Sequence, residues 1–145
     1  MLRIILDTNV LIEGAKDPNS YPVRIMRLAL AGQLQPIFSP RTQREYQHVV
    51  DDLVADQEYK DLVRKFFEQG ELVETHTRLP GVTADRDDDK FVELAQDGDV
   101  DYLITSDNHL LTLEKFGETD ITLPDRFWNT YQAVAGEKVR ALGYA

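Results

Sequence analysis

The sequence predicts an α/β fold in which a parallel sheet carries helices on both faces. Three observations predict it. Short apolar runs alternate along the chain with longer segments whose apolar residues recur at helical spacing. The runs are apolar at consecutive positions, as strands covered on both sides require. Helix punctuation also stands at the changeovers, with Gly32 after one helical segment and Ser39-Pro40 before the next.

Arg3-Ile4-Ile5-Leu6 reads as the first strand. From Tyr21 to Ala31 the apolar spacing is helical, and Gly32 ends it. Leu34 to Phe38 is a second strand. Ser39 as N-cap and Pro40 at the first helical position then open a helix. Its stripe is Tyr46, Val49, Val50, Leu53 and Val54. Leu62, Val63, Phe66 and Phe67 mark a further helix ending near Gly70, and Glu71 to Thr75 is a weaker strand. Beyond a Pro80-Gly81 loop, Phe91, Val92, Leu94 and Ala95 mark a helix that precedes the strand Tyr102-Leu103-Ile104-Thr105. Ile121 to Leu123 is a last short strand, and Pro124 starts a C-terminal helix containing Phe127, Trp128 and Tyr131. No repeat, linker or low-complexity segment interrupts the pattern, so residues 1–145 read as one domain.

Composition narrows the function. With 42% hydrophobic residues the 145-residue chain can build one core. No apolar run is long enough to cross a bilayer, and Asp7 interrupts the opening stretch too early for a secretory leader. Cysteine is absent, which removes disulfides, thiolate zinc sites and cysteine nucleophiles. These features predict a cytoplasmic protein. The net charge of −10 argues against long, tight contacts with nucleic acid, where phosphates are neutralised by basic residues. Bound divalent cations reverse that logic at a carboxylate site.

Four acids fall where such a site belongs. Asp7 follows the first strand directly, Asp107 lies just beyond Thr105-Ser106 at the end of another, and Glu45 and Asp89 lie near the starts of helices. In an open parallel sheet, strand C-ends and the following helix N-termini share one edge, where ligands bind. Converging carboxylates repel one another unless a cation compensates. An all-oxygen set selects Mg²⁺ or Mn²⁺ over zinc. Each acid alone has a plainer reading: Asp7 as a helix cap, Glu45 as a solvated residue, Asp107 as a turn former. Asp85, Asp87, Asp88 and Asp89 could answer a helix macrodipole. Four acids within five residues exceed what a helix start needs, however, and call for a cation or for neighbours such as Arg86 and Lys90.

Ile5-Leu6-Asp7-Thr8-Asn9-Val10-Leu11-Ile12 resembles the opening motif of PIN domains. Asp88-Asp89-Lys90-Phe91, followed by Tyr102-Leu103-Ile104-Thr105-Ser106-Asp107, resembles that family's second half, and Ser39-Pro40 with Glu45 fits the acidic helix between. The similarity spans nearly the whole chain. It is nearest to the bacterial subgroup of toxin components of toxin–antitoxin pairs, whose tails carry a strand and a Pro-led helix like Ile121 to Trp128. The resemblance implies a three-layer αβα sandwich with a central parallel sheet, forming a single PIN-like nuclease domain over residues 1–145. It implies metal-dependent hydrolysis of RNA that leaves 5′-phosphate and 3′-hydroxyl ends. Asp7, Glu45, Asp89 and Asp107 would hold Mg²⁺ or Mn²⁺, with Asp88 replacing Asp89 if the helix register differs. Asn9 and Thr105 would orient the carboxylates through hydrogen bonds. Arg41, Arg44, Arg86 and His109 are candidate substrate contacts. Family habit adds an antitoxin partner and a homodimer. One departure stands out: many relatives carry a further Asp where this chain has His109, which weakens a second metal position.

Other readings fit less well. A haloacid-dehalogenase-type phosphatase also opens with a strand and Asp-x-Asp, but Asn9 replaces its second acid. A calcium loop starting at Asp85 has Lys90 where Gly belongs and Gln96 where Glu belongs. A PIN-like module that binds RNA or protein with weak or no catalysis is the remaining alternative.

Overall fold

In a computed structural model, residues 1–79, 81–83, 86–141 and 143 are described, apart from the side chains of 86 and 136–141. Among them, β1 (Leu2–Leu6), β2 (Leu34–Phe38), β3 (Glu71–Leu72), β4 (Tyr102–Ile104), β5 (Lys115–Phe116) and β6 (Thr119–Thr122) form one sheet in the order β3-β2-β1-β4-β6-β5. It is flanked by α1 (Thr8–Gly14), α2 (Tyr21–Leu30), α3 (Pro40–Leu53), α4 (Gln57–Glu68), α5 (Asp89–Asp97), α6 (Asn108–Leu111) and α7 (Pro124–Ala141). No helix of the described residues is long and apolar enough to cross a membrane.

The apolar runs become the central strands for the reason the sequence suggests. Ile4, Ile5 and Leu6 of β1 are buried, as are Leu103 and Ile104 of β4, because both faces of these strands are covered. Register pairs Leu6 with Ile104 and Ile4 with Pro36, both in parallel. The chain runs from β1 outward to β2 and β3, then returns to place β4 on the other side of β1. Strand order therefore reverses between β1 and β4. Their C-terminal ends bound the crevice that open α/β sheets use for ligands.

Two features tie helices to that edge. Ser39 and Thr42 form a reciprocal capping box at the start of α3: Thr42 N–H donates to Ser39 Oγ at 3.1 Å, and Ser39 N–H to Thr42 Oγ1 at 2.9 Å. Tyr46, fully buried on α3, donates its hydroxyl to the carbonyl of Leu6, the last residue of β1. Its ring also meets Phe91 of α5 with centroids 6.4 Å apart. The aromatic contact packs α3 against α5 beside the end of β1.

The structure departs from the sequence expectations at several edges. The sheet is not wholly parallel, because β5 returns antiparallel to β6 through a turn with Gly117 at φ +58°. Two-residue strands carry no periodicity that a sequence could display. The strand expected over Glu71 to Thr75 is confined to Glu71–Leu72, and the short α6 was not foreseen. Leu53 of the predicted α3 stripe is exposed, since the helix ends there and leaves that turn without a neighbour.

Candidate metal centre

Asp7 stands directly after β1 and caps α1, so the cap and the site are the same residue. Its carboxylate is buried, with Oδ2 accepting from Thr105 Oγ1 at 2.6 Å and Oδ1 from the Asn9 backbone N–H at 3.3 Å. Burial pushes the Asp7 carboxyl above its ordinary range. The Thr105 and Asn9 bonds oppose that shift, while the negative charges of Asp107 and Glu45 add to it. Thr105 also accepts from the Asp107 backbone N–H at 3.0 Å, so one fully buried hydroxyl joins the ends of β1 and β4.

Asp107 caps α6, accepting from the His109 N–H at 2.8 Å. The His109 imidazole Nδ1 lies 3.5 Å from Asp107 Oδ1 and 3.8 Å from Asp88 Oδ2. One ligand atom from each of Asp88, Asp107 and His109 falls within 4.8 Å of the others.

Asp88 and Asp89 face different surroundings. A 3₁₀ turn, Arg86–Asp88, leads into α5. Consecutive helical residues point about 100° apart, and here the two carboxylates take different directions. Asp89 turns to the preceding loop, accepting from Gly81 N at 3.2 Å, Thr83 N at 3.0 Å and Thr83 Oγ1 at 2.8 Å. Asp88 is the one that meets Asp107. The alternative register named from the sequence is thus the arrangement that brings an acid of this segment to the rim.

Glu45 reaches the same edge from α3, its Oε2 accepting from Thr8 Oγ1 at 2.7 Å. Its Oε1 is taken by the Lys90 ammonium at 2.9 Å. Lys90 is buried along α5, donates to the Asp87 carbonyl at 2.6 Å and lies 5.0 Å from the Phe91 ring centroid. Glu45 and Lys90 each immediately precede a member of the Tyr46–Phe91 pair, which is why they meet.

Of the other expected residues, Thr105 orients Asp7 as foreseen, whereas Asn9 does so through its backbone and is exposed. Arg41 and Arg44 are exposed and line a groove of about 220 Å³ with Lys90 and Arg78. The Arg86 side chain lies outside the described residues, as does Asp85. Sequence reasoning gave no role to Thr8 or Arg78, read Tyr46 only as part of an apolar stripe, and weighed Lys90 only as a charge. Thr8 could have been found, since a hydroxyl beside a strand-end Asp faces the same crevice.

The donor set fits a hard divalent cation. Asp7 is raised chiefly by burial, and Asp88, Asp107 and His109 converge, a combination that a cation relieves. Such an ion would be held by Asp88, Asp107 and His109, with Asp7, joined to Asp107 through Thr105, and Glu45 beside them.

Residues 3–109 match the family model described as PIN domain. No curated protein sequence matches the chain significantly. Among solved structures the chain is similar to VapBC2 from Rickettsia felis bound to a DNA fragment from their promoter. The two are 15% identical with a TM-score of 0.56, over 83% of this chain and 97% of that one. At that identity the likeness concerns the fold.

Proposed function

This chain belongs to the PIN-domain family, and on that premise we propose that it is a metal-dependent endoribonuclease, the toxin of a toxin–antitoxin pair. The observation that carries the reading is the approach of Asp88, Asp107 and His109 to within 4.8 Å of one another at the strand ends, beside an Asp7 carboxylate that Thr105 fixes and burial raises. Drawing carboxylates together out of water costs free energy, which a bound cation offsets.

Asp88, Asp107 and His109, with Asp7 beside them, would hold Mg²⁺ or Mn²⁺, which would supply positive charge to a phosphodiester and make water more acidic there. The chain's own residues do the rest. Thr105 fixes the Asp7 carboxylate and, through the Asp107 backbone, the relative position of two strand ends. Arg41 and Arg44 offer cations to RNA phosphates along the neighbouring groove, where Arg78 is paired with Glu93. Hydrolysis leaves 5′-phosphate and 3′-hydroxyl ends. An antitoxin that covers this edge and a homodimer follow family habit, and the fold similarity to VapBC2 is consistent with a toxin–antitoxin setting. The Asp7 phospho-enzyme of a haloacid-dehalogenase-type phosphatase gives way to the family match.

One observation favours a second reading, a PIN-like RNA- or protein-binding module with weak catalysis: Lys90 already compensates one of the rim's acids. Cleavage of a mixed RNA pool separates the two. Wild type is expected to cut in Mn²⁺ and to stop in EDTA, while Asp7→Asn folds but does not cut. Equal cutting by both proteins defeats the proposal.

A further inference from the structure

Lys90 is an unusual neighbour for a metal site. Its side chain is 8% exposed, a depth at which an ammonium needs an anionic partner. That partner is Glu45, and the contact is fixed from both sides. The Lys90 ammonium also binds the Asp87 carbonyl, and the other Glu45 oxygen is held by Thr8. The aromatic contact beneath the pair, Tyr46 with Phe91, sets the spacing of the two helices. Glu45 therefore reaches the rim with its charge already balanced. Among the described residues no ammonium pairs with Asp7 or Asp107 across the crevice, and the ion-pair partner of Asp107 is the His109 imidazole.

We propose that the Lys90 ammonium is a resident cation of this rim, balancing Glu45 and limiting the site to one divalent ion on the Asp7, Asp88 and Asp107 side. Glu45 then acts on that ion through charge and through its hold on Thr8, while Lys90 is a positioning residue. The inference rests on the metal-dependent reading above and adds the number of ions and the part of Glu45 in holding them.

Binding of Mn²⁺ to the RNA-free full chain, followed by calorimetry and by electron paramagnetic resonance of free Mn²⁺, tests it without reference to cleavage. Wild type is expected to bind one Mn²⁺ per chain. A unit charge about 6 Å from a divalent ion alters its affinity roughly tenfold at a water-like dielectric. Lys90→Met should therefore tighten binding about tenfold and Glu45→Gln weaken it about tenfold. The double variant, neutral at both positions, should return to within about threefold of wild type, because only the sum of the two charges matters. Lys90→Arg, which keeps the charge, should bind as wild type does.

A double variant that stays as weak as Glu45→Gln makes Glu45 a direct ligand and overturns the inference. Two ions in wild type, or an unchanged affinity in Lys90→Met, overturn it as well. Should Lys90→Met fail to fold by circular dichroism, the double variant against Glu45→Gln still decides the matter, since it carries no unbalanced charge at the pair. No Mn²⁺ binding by wild type sinks the metal-dependent reading itself. One ion abolished by Asp7→Asn, combined with a weak double variant, sinks only the part given to Lys90.

Discussion

Adjacent acids at the start of α5 should separate into two phenotypes, because they serve different purposes. Asp89 is 5% exposed and accepts three hydrogen bonds from the 81–83 loop. In Asp89→Asn the amide oxygen can keep Thr83, at 3.0 and 2.8 Å, but its NH₂ then faces the Gly81 N–H across 3.2 Å. One bond is lost and two donors are opposed where Gly81 is open to water, at a cost of about 1 kcal/mol. For a chain of this size that is roughly 3 °C in melting temperature. Asp88→Asn instead removes a carboxylate from the group formed with Asp107 and His109. Its cleavage rate should fall by more than the roughly 10–100-fold that loss of an outer-shell metal partner costs. Thermal denaturation and Mn²⁺-dependent RNA cleavage, measured on both variants well below the lower melting point, give the comparison. The reasoning is refuted if Asp89→Asn loses cleavage while melting as wild type does, or if Asp88→Asn cuts at the wild-type rate.

Two further outcomes concern the scaffold. In Gly70→Ala the new Cβ would lie 2.1 and 2.3 Å from the Phe38 ring, which Tyr46, Phe66 and Phe67 enclose at 5.2 to 5.8 Å between centroids. A loss of about 2–3 kcal/mol is expected in urea denaturation, and an unchanged midpoint would show that the ring can yield. Asp97 accepts from His76 N, Thr77 N and Thr77 Oγ1, and the Thr77 bonds lead in holding its carboxyl below the ordinary range. A lowered pKa in the fold means stability that is present above the unfolded value near 3.8 and lost as pH falls through the folded one. Asp97→Asn should therefore cost about 1 kcal/mol at pH 7, discounted for exposure. The difference from wild type should close as pH is lowered through the carboxylate range; a constant deficit would contradict this sign.

The sequence made the centre of the fold legible and its margins less so. Ile4 to Leu6 and Tyr102 to Ile104 are apolar at consecutive positions because both of their faces are covered, a constraint that leaves a direct trace in composition. Asp7, directly after β1, and Asp107, three residues beyond the end of β4, follow from that placement, since chain leaving the C-terminal end of a central strand emerges at the crevice. Choosing between Asp88 and Asp89 needed the geometry of the 3₁₀ turn, which sets where each carboxylate points and leaves no mark on spacing. The Glu45–Lys90 pair was hidden for a similar reason. It depends on Tyr46 and Phe91 packing across two helices that are distant in sequence. The two-residue β3 and β5 are held by partners, with too few residues for a pattern.

A crystal soaked in Mn²⁺ and measured at the manganese absorption edge bears most directly on the metal centre. One anomalous peak in contact with the carboxylates of Asp88 and Asp107, beside Asp7, is the predicted result. A soaked crystal with no peak there, or with the ion on Asp89 instead, would contradict it.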